Sequence, residues 1–186
     1  LPIGEMDQGA IDAAVSAKLA SGESLYQVDE VLLRELRPDV VLTQDLCQVC
    51  APSGTELTRA LRELPSKPEV LWLTPRTIAE IEQNILDIGR VTGRLLEAES
   101  LIDDNRERIA KVVRAVSAAP ARRVAFLEWT DPLFCAGHWV PEMIALEGGI
   151  DPLAQGGGDS GRISWDAVAE GNPEILIVAP CGYGLA

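Results

Sequence analysis

One short pattern of hydrophobic and polar positions occurs three times along the chain. A proline and an acidic residue precede a short apolar run in PDVVLT at 38–43, PEVLWL at 68–73 and PEILIV at 173–178. A fourth apolar run, RVAFL, occupies 123–127. Continuous apolar runs rich in β-branched residues are typical of strands buried on both faces, as in parallel sheets under helices. The pattern therefore predicts four strands of the parallel type.

The longest amphipathic segment, at 77–118, lies between the apolar runs at 68–73 and 123–127. Its apolar residues follow steps of three, four or seven, which is the period of a helix with one apolar face. Thr77 and Glu80 have the spacing of a capping box, and Pro120 ends the pattern. An unbroken helix here would be roughly 60 Å long. The stretch 89–93, which has a glycine at each end, is where we expect a kink.

Shorter helical patterns precede two of the strands, at 28–36 and at 165–170. Alternating strands and helices are the signature of an α/β fold. A helix of roughly 60 Å is too long for one small lobe, so it reaches from one lobe to another or forms a coiled coil. We therefore predict two small α/β lobes, at 1–76 and 119–186, joined by one long helix at 77–118.

Composition narrows the possible partners. Of the 186 residues, 47% are hydrophobic, which favours a packed core, and the net charge is −13. So acidic a chain argues against nucleic acid as a partner, because phosphate contacts need lysine and arginine. No apolar run approaches the ~20 residues that span a bilayer, and the first residues do not resemble a signal peptide. The compartment therefore stays open at this stage.

The loops that follow three of the strands contain an unusual share of the chemically distinctive residues. In open α/β sheets, ligands bind outside the carboxyl ends of the strands. Aromatic residues make up only 4% of the chain, yet four of them lie in the second and third of these loops, with the single histidine. Aromatic pockets with a few polar groups are typical of small-molecule sites. The residues concerned are Trp129, Phe134, Trp139, Tyr183 and His138, and the four cysteines, Cys47, Cys50, Cys135 and Cys181, lie in the same three loops.

Several of these residues also fit an enzyme. Cys47 and Cys50 form a CxxC pair that suits half a zinc site or a redox pair, although no second pair follows at finger spacing. Glu128 and Asp131 suit acid–base chemistry, but no nucleophile accompanies them, so hydrogen bonding to a ligand is the preferred interpretation. His138 suits either a ligand to the metal of a bound chelate or a simple hydrogen bond in the pocket. We read the glycine-rich segment 155–161 as a flexible surface loop that leads to an N-cap at Ser164.

The order of motifs in the second half of the chain resembles a known family. RVAFLEW at 123–129, GHWVPE at 137–142, the glycine pair at 148–149 and ISW at 163–165 occur in the order found in periplasmic binding proteins of the helical-backbone class. Within that class, TQDLC at 43–47 and the PCG motif at 180–182 are most similar to proteins described as cobalamin-binding. The resemblance implies two α/β lobes, a helix between them, a ligand held in the cleft and delivery to an ABC importer.

The resemblance also implies functional residues. The aromatic side chains would pack on a corrinoid ligand and the polar ones would bond to it, and one glutamate per lobe, Glu56 and Glu142, would meet the importer permease. Members of the family have a further strand at the start and more helix at the end, so we expect this chain to be shortened at both ends. The candidate ligand-binding residues are Gln44, Asp45, Leu46, Cys47, Glu128, Trp129, Asp131, Phe134, His138, Trp139 and Tyr183.

The predicted function is therefore binding of a cobalamin-like corrinoid, without catalysis and without a permanently bound cofactor, in a periplasmic or other extracytoplasmic location. A haem or iron-siderophore receptor of the same fold is a second possibility. Negatively charged siderophores favour arginine or lysine in the cleft, and the three loops contain none. A thiol- or zinc-dependent enzyme that uses the Cys/His cluster is a third possibility, and self-association through residues 77–118 is a fourth.

Overall fold

The computed structural model describes residues 6–21, 25–46 and 54–180, with side chains from residue 57 onward in the last range. It is an α/β structure in which two separate sheets are divided along the chain by a pair of helices. The elements are α1 (Gln8–Ala20), α2 (Glu30–Leu36), β1 (Val40–Thr43), α3 (Gly54–Arg62), β2 (Glu69–Trp72), α4 (Ile78–Val91), α5 (Leu95–Val116), β3 (Arg122–Thr130), β4 (Leu133–Cys135), α6 (Val140–Leu146), β5 (Gly149–Ile150), α7 (Trp165–Gly171) and β6 (Ile175–Val178).

The first sheet consists of the parallel pair β1 and β2, in register from Val40 opposite Glu69 to Thr43 opposite Trp72. The helix α3 lies between these strands in the chain, as a parallel connection requires. The predicted strands are confirmed, and the second of them begins one residue earlier than expected. Both strands therefore end at the same edge of the sheet, where a ligand is expected.

The second sheet is built around β3. The strand β6 pairs with it in parallel, from Val124 opposite Ile175 to Leu127 opposite Val178, and β5 pairs in parallel with its first two residues. The strand β4 turns back on the end of β3 as an antiparallel hairpin. The hydrophobic core under this sheet contains Leu127 of β3, Leu133 of β4 and Val168 of α7, so α7 packs against the central strand. The loops after β3 and β4 therefore follow strands whose residues are part of the buried core.

The single long helix predicted over 77–118 is wrong. The segment forms two helices, α4 and α5, which fold back against each other as an antiparallel hairpin. Gly93 has a φ of +69°, and the N–H of Arg94 donates to the carbonyl of Gly89 at 2.6 Å. This left-handed residue ends α4 in the way that glycine commonly ends helices. The α5 helix alone, with 22 residues and a length of about 33 Å, leads into the second sheet.

Close packing holds the helical hairpin together. A Cβ added to Gly89 would lie 2.5 Å from the Cβ of Ala98, so the two helices approach each other closely near the turn. Further along, the Arg106 guanidinium bonds both carboxylate oxygens of Glu82 at 2.9 and 2.7 Å. This ion pair raises the pKa of Arg106, chiefly because its side chain donates hydrogen bonds to Glu82. The apolar residues whose spacing predicted one long helix therefore lie on two helices, α4 and α5, that pack against each other.

The expected burial of the strands on both faces is correct only in part. Val124, Ala125 and Leu127 of β3 are buried, but all four residues of β6 are at least 37% exposed. The reason is that α7 packs on β3, while β6 lies at the edge of the described sheet. Among the described residues, no helix is both long enough and apolar enough to cross a membrane. The lobe boundaries at 76 and 118 stay predictions.

Candidate ligand cleft

A pocket lies at the carboxyl ends of the first sheet. Its volume is about 330 Å³, and it is lined by Asp45 and Leu46 after β1, by Trp72 at the end of β2, and by Thr74 and Arg76 in the segment that follows. Asp45 and Leu46 were predicted from the sequence. The remaining three belong to β2 and its following loop, from which the sequence yielded no candidates, although that loop ends at the same edge of the sheet. The rule that ligands lie at the carboxyl ends of strands would have found them.

Arg76 connects this pocket to the second lobe. Its Nη1 lies 2.8 Å from Oδ1 of Asp159 and donates to the carbonyl of Gly157 at 3.3 Å. Asp159 in turn lies 3.8 Å from Nε2 of His138. The pocket of the first lobe and the histidine of the second lobe are therefore separated by a single ion pair.

The backbone at His138 is held in an unusual conformation. His138 has a φ of +55°, its N–H donates to the carbonyl of Gly158 at 2.6 Å, and its own carbonyl accepts from Gly157 at 2.9 Å. Its side chain is 17% exposed and lies beside the ring of Trp139, with 6.0 Å between the centroids. A non-glycine residue in this region is uncommon and is found where the surroundings fix it. The main chain at His138 is therefore fixed by the glycine-rich segment, and the imidazole lies beside Trp139 and 3.8 Å from Asp159.

The glycine-rich segment was expected to be a flexible surface loop; it lies at the surface, and its backbone bonds to neighbouring loops. Besides the two bonds to His138, the carbonyl of Gly161 accepts from Cys135 at 3.0 Å. A Cβ added to Gly137 would lie 2.2 Å from the nitrogen of Ser160, so the two backbones touch. The glycines are needed for this close approach. The expected N-cap is confirmed, because the Ser164 hydroxyl accepts from the N–H of Ala167.

Glu128 was a candidate for ligand binding, and the structure gives its carboxylate two internal partners. Oε1 accepts from the N–H of Gly137 at 3.2 Å, and Oε2 accepts from the Ser160 hydroxyl at 2.5 Å. The Glu128 side chain thus links the loop that contains His138 to the glycine-rich segment 155–161. Its direct contact with a ligand stays a prediction, whereas its contact with these loops is a feature of the structure.

The remaining candidates on the second sheet form its rim. The indole N–H of Trp129 donates to the carbonyl of Asp131 at 2.9 Å, and Asp131 is exposed. Phe134 lies under the guanidinium of Arg162, 5.5 Å from the ring centroid. Such an arrangement is a cation–π contact. These side chains share the carboxyl end of β3 with the His138 loop.

Helix α1 packs on this same rim. The Gln8 side-chain oxygen accepts from both the N–H and the hydroxyl of Thr130, at 2.9 and 2.7 Å. Both oxygens of Asp12 bond Nη2 of Arg162, at 2.8 and 2.7 Å. The sequence assigned α1 to the first lobe, yet these contacts are with the second. No pattern in the sequence indicated them, because they join residues more than 120 positions apart.

The structure describes the side chain of only one of the two docking candidates, Glu142. Glu142 is partly buried, and its Oε2 accepts from the N–H of Ile78 at 2.7 Å, so it satisfies an unpaired donor at the start of α4. Glu56 lies in α3, and its side chain is outside the described part of the chain. The docking role of both stays a prediction. Gln44 directly follows β1 and is half-buried, whereas Cys47 and Tyr183 lie outside the described residues.

The described residues do not assemble a metal site. Within 6–21, 25–46 and 54–180, no group of three or more His, Cys, Asp or Glu side chains is placed to hold a metal ion. Cys135 is buried and unpaired, and it lies on β4. Cys47, Cys50 and Cys181 fall outside these ranges. A zinc- or thiol-dependent enzyme therefore gains no support from the described part of the chain.

Comparison with known proteins agrees with this architecture. The family model described as periplasmic binding protein matches residues 26–185. The chain belongs to the periplasmic binding protein family. The comparison with curated proteins gave no match.

Solved structures of this class have the same fold. An ABC transporter substrate-binding protein from Listeria monocytogenes has a TM-score of 0.68 at 20% identity over 84% of this chain and 58% of its own. The vitamin B12 binding protein BtuF of Vibrio cholerae has 0.62 at 19% over 82% and 58%. The heme-binding protein RhuT from Roseiflexus sp. RS-1 has 0.65 at 23% over 82% and 58%. The chain thus spans somewhat more than half the length of these proteins.

Proposed function

We propose that this chain binds a corrinoid-type metal chelate in the cleft between its two lobes and serves an ABC importer from an extracytoplasmic position. The observation that carries the proposal is the pocket of about 330 Å³ at the carboxyl ends of β1 and β2, which the Arg76–Asp159 contact joins to the His138 loop. The pocket is lined by residues of the first lobe, and Asp159 of the second lobe meets its edge at Arg76.

The chemistry of the pocket suits a large ligand with an apolar body and polar edges. Trp72 and Leu46 provide apolar surface, while Thr74 and Asp45 provide a hydroxyl and a carboxylate. The volume lies at the lower end of the ~300–1,000 Å³ typical of ligand pockets. A corrin ring exceeds it, so the ligand would extend past Arg76 towards Trp139 in the second lobe. Aromatic faces suit a flat macrocycle.

Proteins with the same fold support the class of ligand. Among the solved structures similar to this chain, one is described as binding vitamin B12, others as binding heme, and one as part of an Fe3+-hydroxamate transport system. All three ligands are organic chelates of a metal. The identities are 18–23%, so the likeness supports a chelate receptor more strongly than it supports a corrinoid in particular.

A haem or iron-siderophore receptor is the second candidate, and one observation favours it. The three loops that supplied the candidates from the sequence contain no arginine or lysine. The structure places Arg76 in the lining of the pocket, so a cation is available for the acidic groups of haem or of a siderophore.

Calorimetric titration under reducing conditions tests the proposal. We expect saturable binding of cyanocobalamin and aquocobalamin, or of haem if the second candidate is right. Trp72→Phe and Trp139→Phe should each weaken binding, because each removes aromatic area from one lobe's side of the cleft. Trp165→Phe is the matched control, since Trp165 is 59% exposed and lies on α7.

Visible spectroscopy provides a second readout of the same complex. A shift for aquocobalamin that is absent for cyanocobalamin, and that disappears in His138→Ala, would make His138 a ligand to cobalt. Failure of all three chelates to bind the wild-type chain would refute the proposed function.

A further inference from the structure

Arg76 is held at the edge of the pocket by its own backbone. Its N–H donates to Oε2 of Glu80 at 2.5 Å, and the next residue, Thr77, caps α4 by accepting from the N–H of Glu80. One residue further, the N–H of Ile78 donates to Glu142 in the second lobe. These bonds fix the main chain from Arg76 to Ile78. The Arg76 side chain therefore lines the pocket from a fixed backbone position.

The guanidinium of Arg76 has unused hydrogen-bonding capacity. Both of its contacts, to Asp159 and to the carbonyl of Gly157, involve Nη1. Within the described ranges, Nε and Nη2 donate to no other residue. A guanidinium is a planar fork that suits the paired oxygens of a carboxylate or a phosphate. The geometry therefore leaves room for an anion beside the pocket.

Asp159 is a replaceable partner. Its side chain is 70% exposed, and that of Arg76 is 43% exposed. Ion pairs so open to water contribute little stability, because solvent screens them and holding two side chains in place costs entropy. Displacing Asp159 from Arg76 therefore has a small cost. A phosphate or carboxylate of the ligand that binds Nε and Nη2 side by side makes the stronger pair with Arg76, because two parallel charge-assisted hydrogen bonds form.

We infer that Arg76 determines specificity by binding a negatively charged group of the ligand, a phosphate or a carboxylate, in exchange for Asp159. The inference rests on the proposed function and adds to it the charge of the ligand. It favours a corrinoid that carries its phosphodiester, or a haem with both propionates, over the corresponding molecule without the charge. The other pocket residues then bind the body of the ligand.

The test compares charged and uncharged forms of the same macrocycle. Calorimetry would be performed with cyanocobalamin and with dicyanocobinamide, which lacks the nucleotide and its phosphate, and also with haem and haem dimethyl ester. We expect Arg76→Gln to weaken binding of the charged form about tenfold, the effect of losing a charge-assisted hydrogen bond. Binding of the uncharged form should change less than about twofold. The pair of ligands that shows the difference identifies the anion as phosphate or propionate.

Arg90→Gln is the matched control. Arg90 is also a partly exposed arginine in an ion pair, with Asp87 at 2.7 Å, but it lies at the far end of α4. The substitution removes the same charge from the protein and should leave all four affinities unchanged. Any effect shared by Arg90→Gln and Arg76→Gln is therefore an effect of net charge alone.

Asp159→Asn should act in the opposite direction. Removing the competing carboxylate should strengthen binding of the charged ligand severalfold and leave the uncharged ligand as it was. Equal weakening of both forms by Arg76→Gln, or no effect of either substitution on a ligand that binds, would overturn the inference and leave the proposed function intact. If the wild-type chain binds none of the four probes, the proposed function fails and the inference fails with it.

Discussion

Glu128 holds two loops together with its two carboxylate oxygens, and it shows what a residue type alone does not reveal. An acidic residue beside Trp129 after a strand has the same appearance in the sequence whether it binds a ligand or a neighbouring loop. Its partners, Gly137 and Ser160, lie 9 and 32 positions away. The sequence could therefore predict that this region is chemically important. It could not predict that Glu128 already has two partners, or that Asp159 is paired with Arg76.

Gly137 should tolerate no side chain. The Cβ of Gly137→Ala would lie 2.2 Å from the nitrogen of Ser160, and both groups are held by backbone and by Glu128. We expect the free energy of unfolding to fall by about 1–3 kcal/mol, the usual range for forcing an atom into a packed site. Denaturant unfolding measures it. Gly161→Ala is the control, because an added Cβ there meets nothing within 4 Å; equal losses for both variants would contradict the close packing.

The Glu174 carboxylate should make stability depend on pH in the acid range. The N–H of Arg123, followed by the side chain of Arg122, bonds this carboxylate and lowers the pKa of Glu174. A group with a lowered pKa in the folded state stabilises the protein above its unfolded pKa, about 4.3, and this contribution is lost as the pH falls through the folded value.

Thermal unfolding of Glu174→Gln measures this contribution. The variant should have a lower Tm than the wild type at neutral pH, and the difference should shrink progressively below about pH 4.3. Glu170→Gln, on the exposed face of α7, should show no such pH-dependent difference. A constant difference in Tm between Glu174→Gln and wild type across the range would show that the carboxylate's charge has no role.

At the scale of elements, the strands were more predictable than the helices. The four predicted strands, β1, β2, β3 and β6, are each specified locally by an apolar run of four or five residues, and the runs at 40–43 and 175–178 have the bounds that the structure shows. The short strands β4 and β5, of three and two residues, were not predicted. The helices were harder because their apolar period does not reveal where the chain reverses. A single residue in the left-handed region, Gly93, converts one expected helix into a hairpin with the same period. The antiparallel contacts then use the apolar faces that a long helix would have exposed.

Helix α1 is attached to the second lobe mainly by a polar stripe. Gln8, Asp12 and Ser16 are spaced at i, i+4 and i+8, which is one face of a helix, and all three bond residues at the rim of the second sheet. Polar contacts of this kind release more easily than an apolar interface, because water replaces the bonds that are lost. The sequence shows the spacing but gives no indication of the surface that α1 meets.

We expect Asp12→Asn to loosen α1 from the second lobe. Both oxygens of Asp12 contact Nη2 of Arg162, and the amide keeps only one acceptor and no charge. Hydrogen exchange of the α1 amides should become severalfold faster, while exchange in β3 should stay unchanged. Asp103→Asn, on an exposed position of α5, is the control. Unchanged exchange in α1 would mean that the remaining contacts, such as those of Gln8 with Thr130 and of Ser16 with Arg162, hold the helix without this ion pair.

At the scale of the whole molecule, polar contacts between the two lobes border the cleft. Arg76 meets Asp159, and the N–H of Ile78 meets Glu142, so the segment before α4 bridges the first sheet to the second lobe. The described chain also leaves apolar surface open, since β6 is exposed along its whole length. The chain covers 57–63% of the length of solved proteins that it resembles. A ligand that spans both lobes would add its own contacts to these two polar contacts between the lobes.

The most direct test of a site shared between the lobes is the hydrogen-exchange footprint of the ligand, measured on the wild-type chain with a saturating corrinoid or haem. A ligand in the cleft should slow exchange in two separate places, at 44–46 and 73–76 in the first lobe and at 136–139 and 157–160 in the second. Protection in both lobes is the result that we predict. Protection confined to one lobe, or located on the face of α5 or on β6, would contradict a shared site.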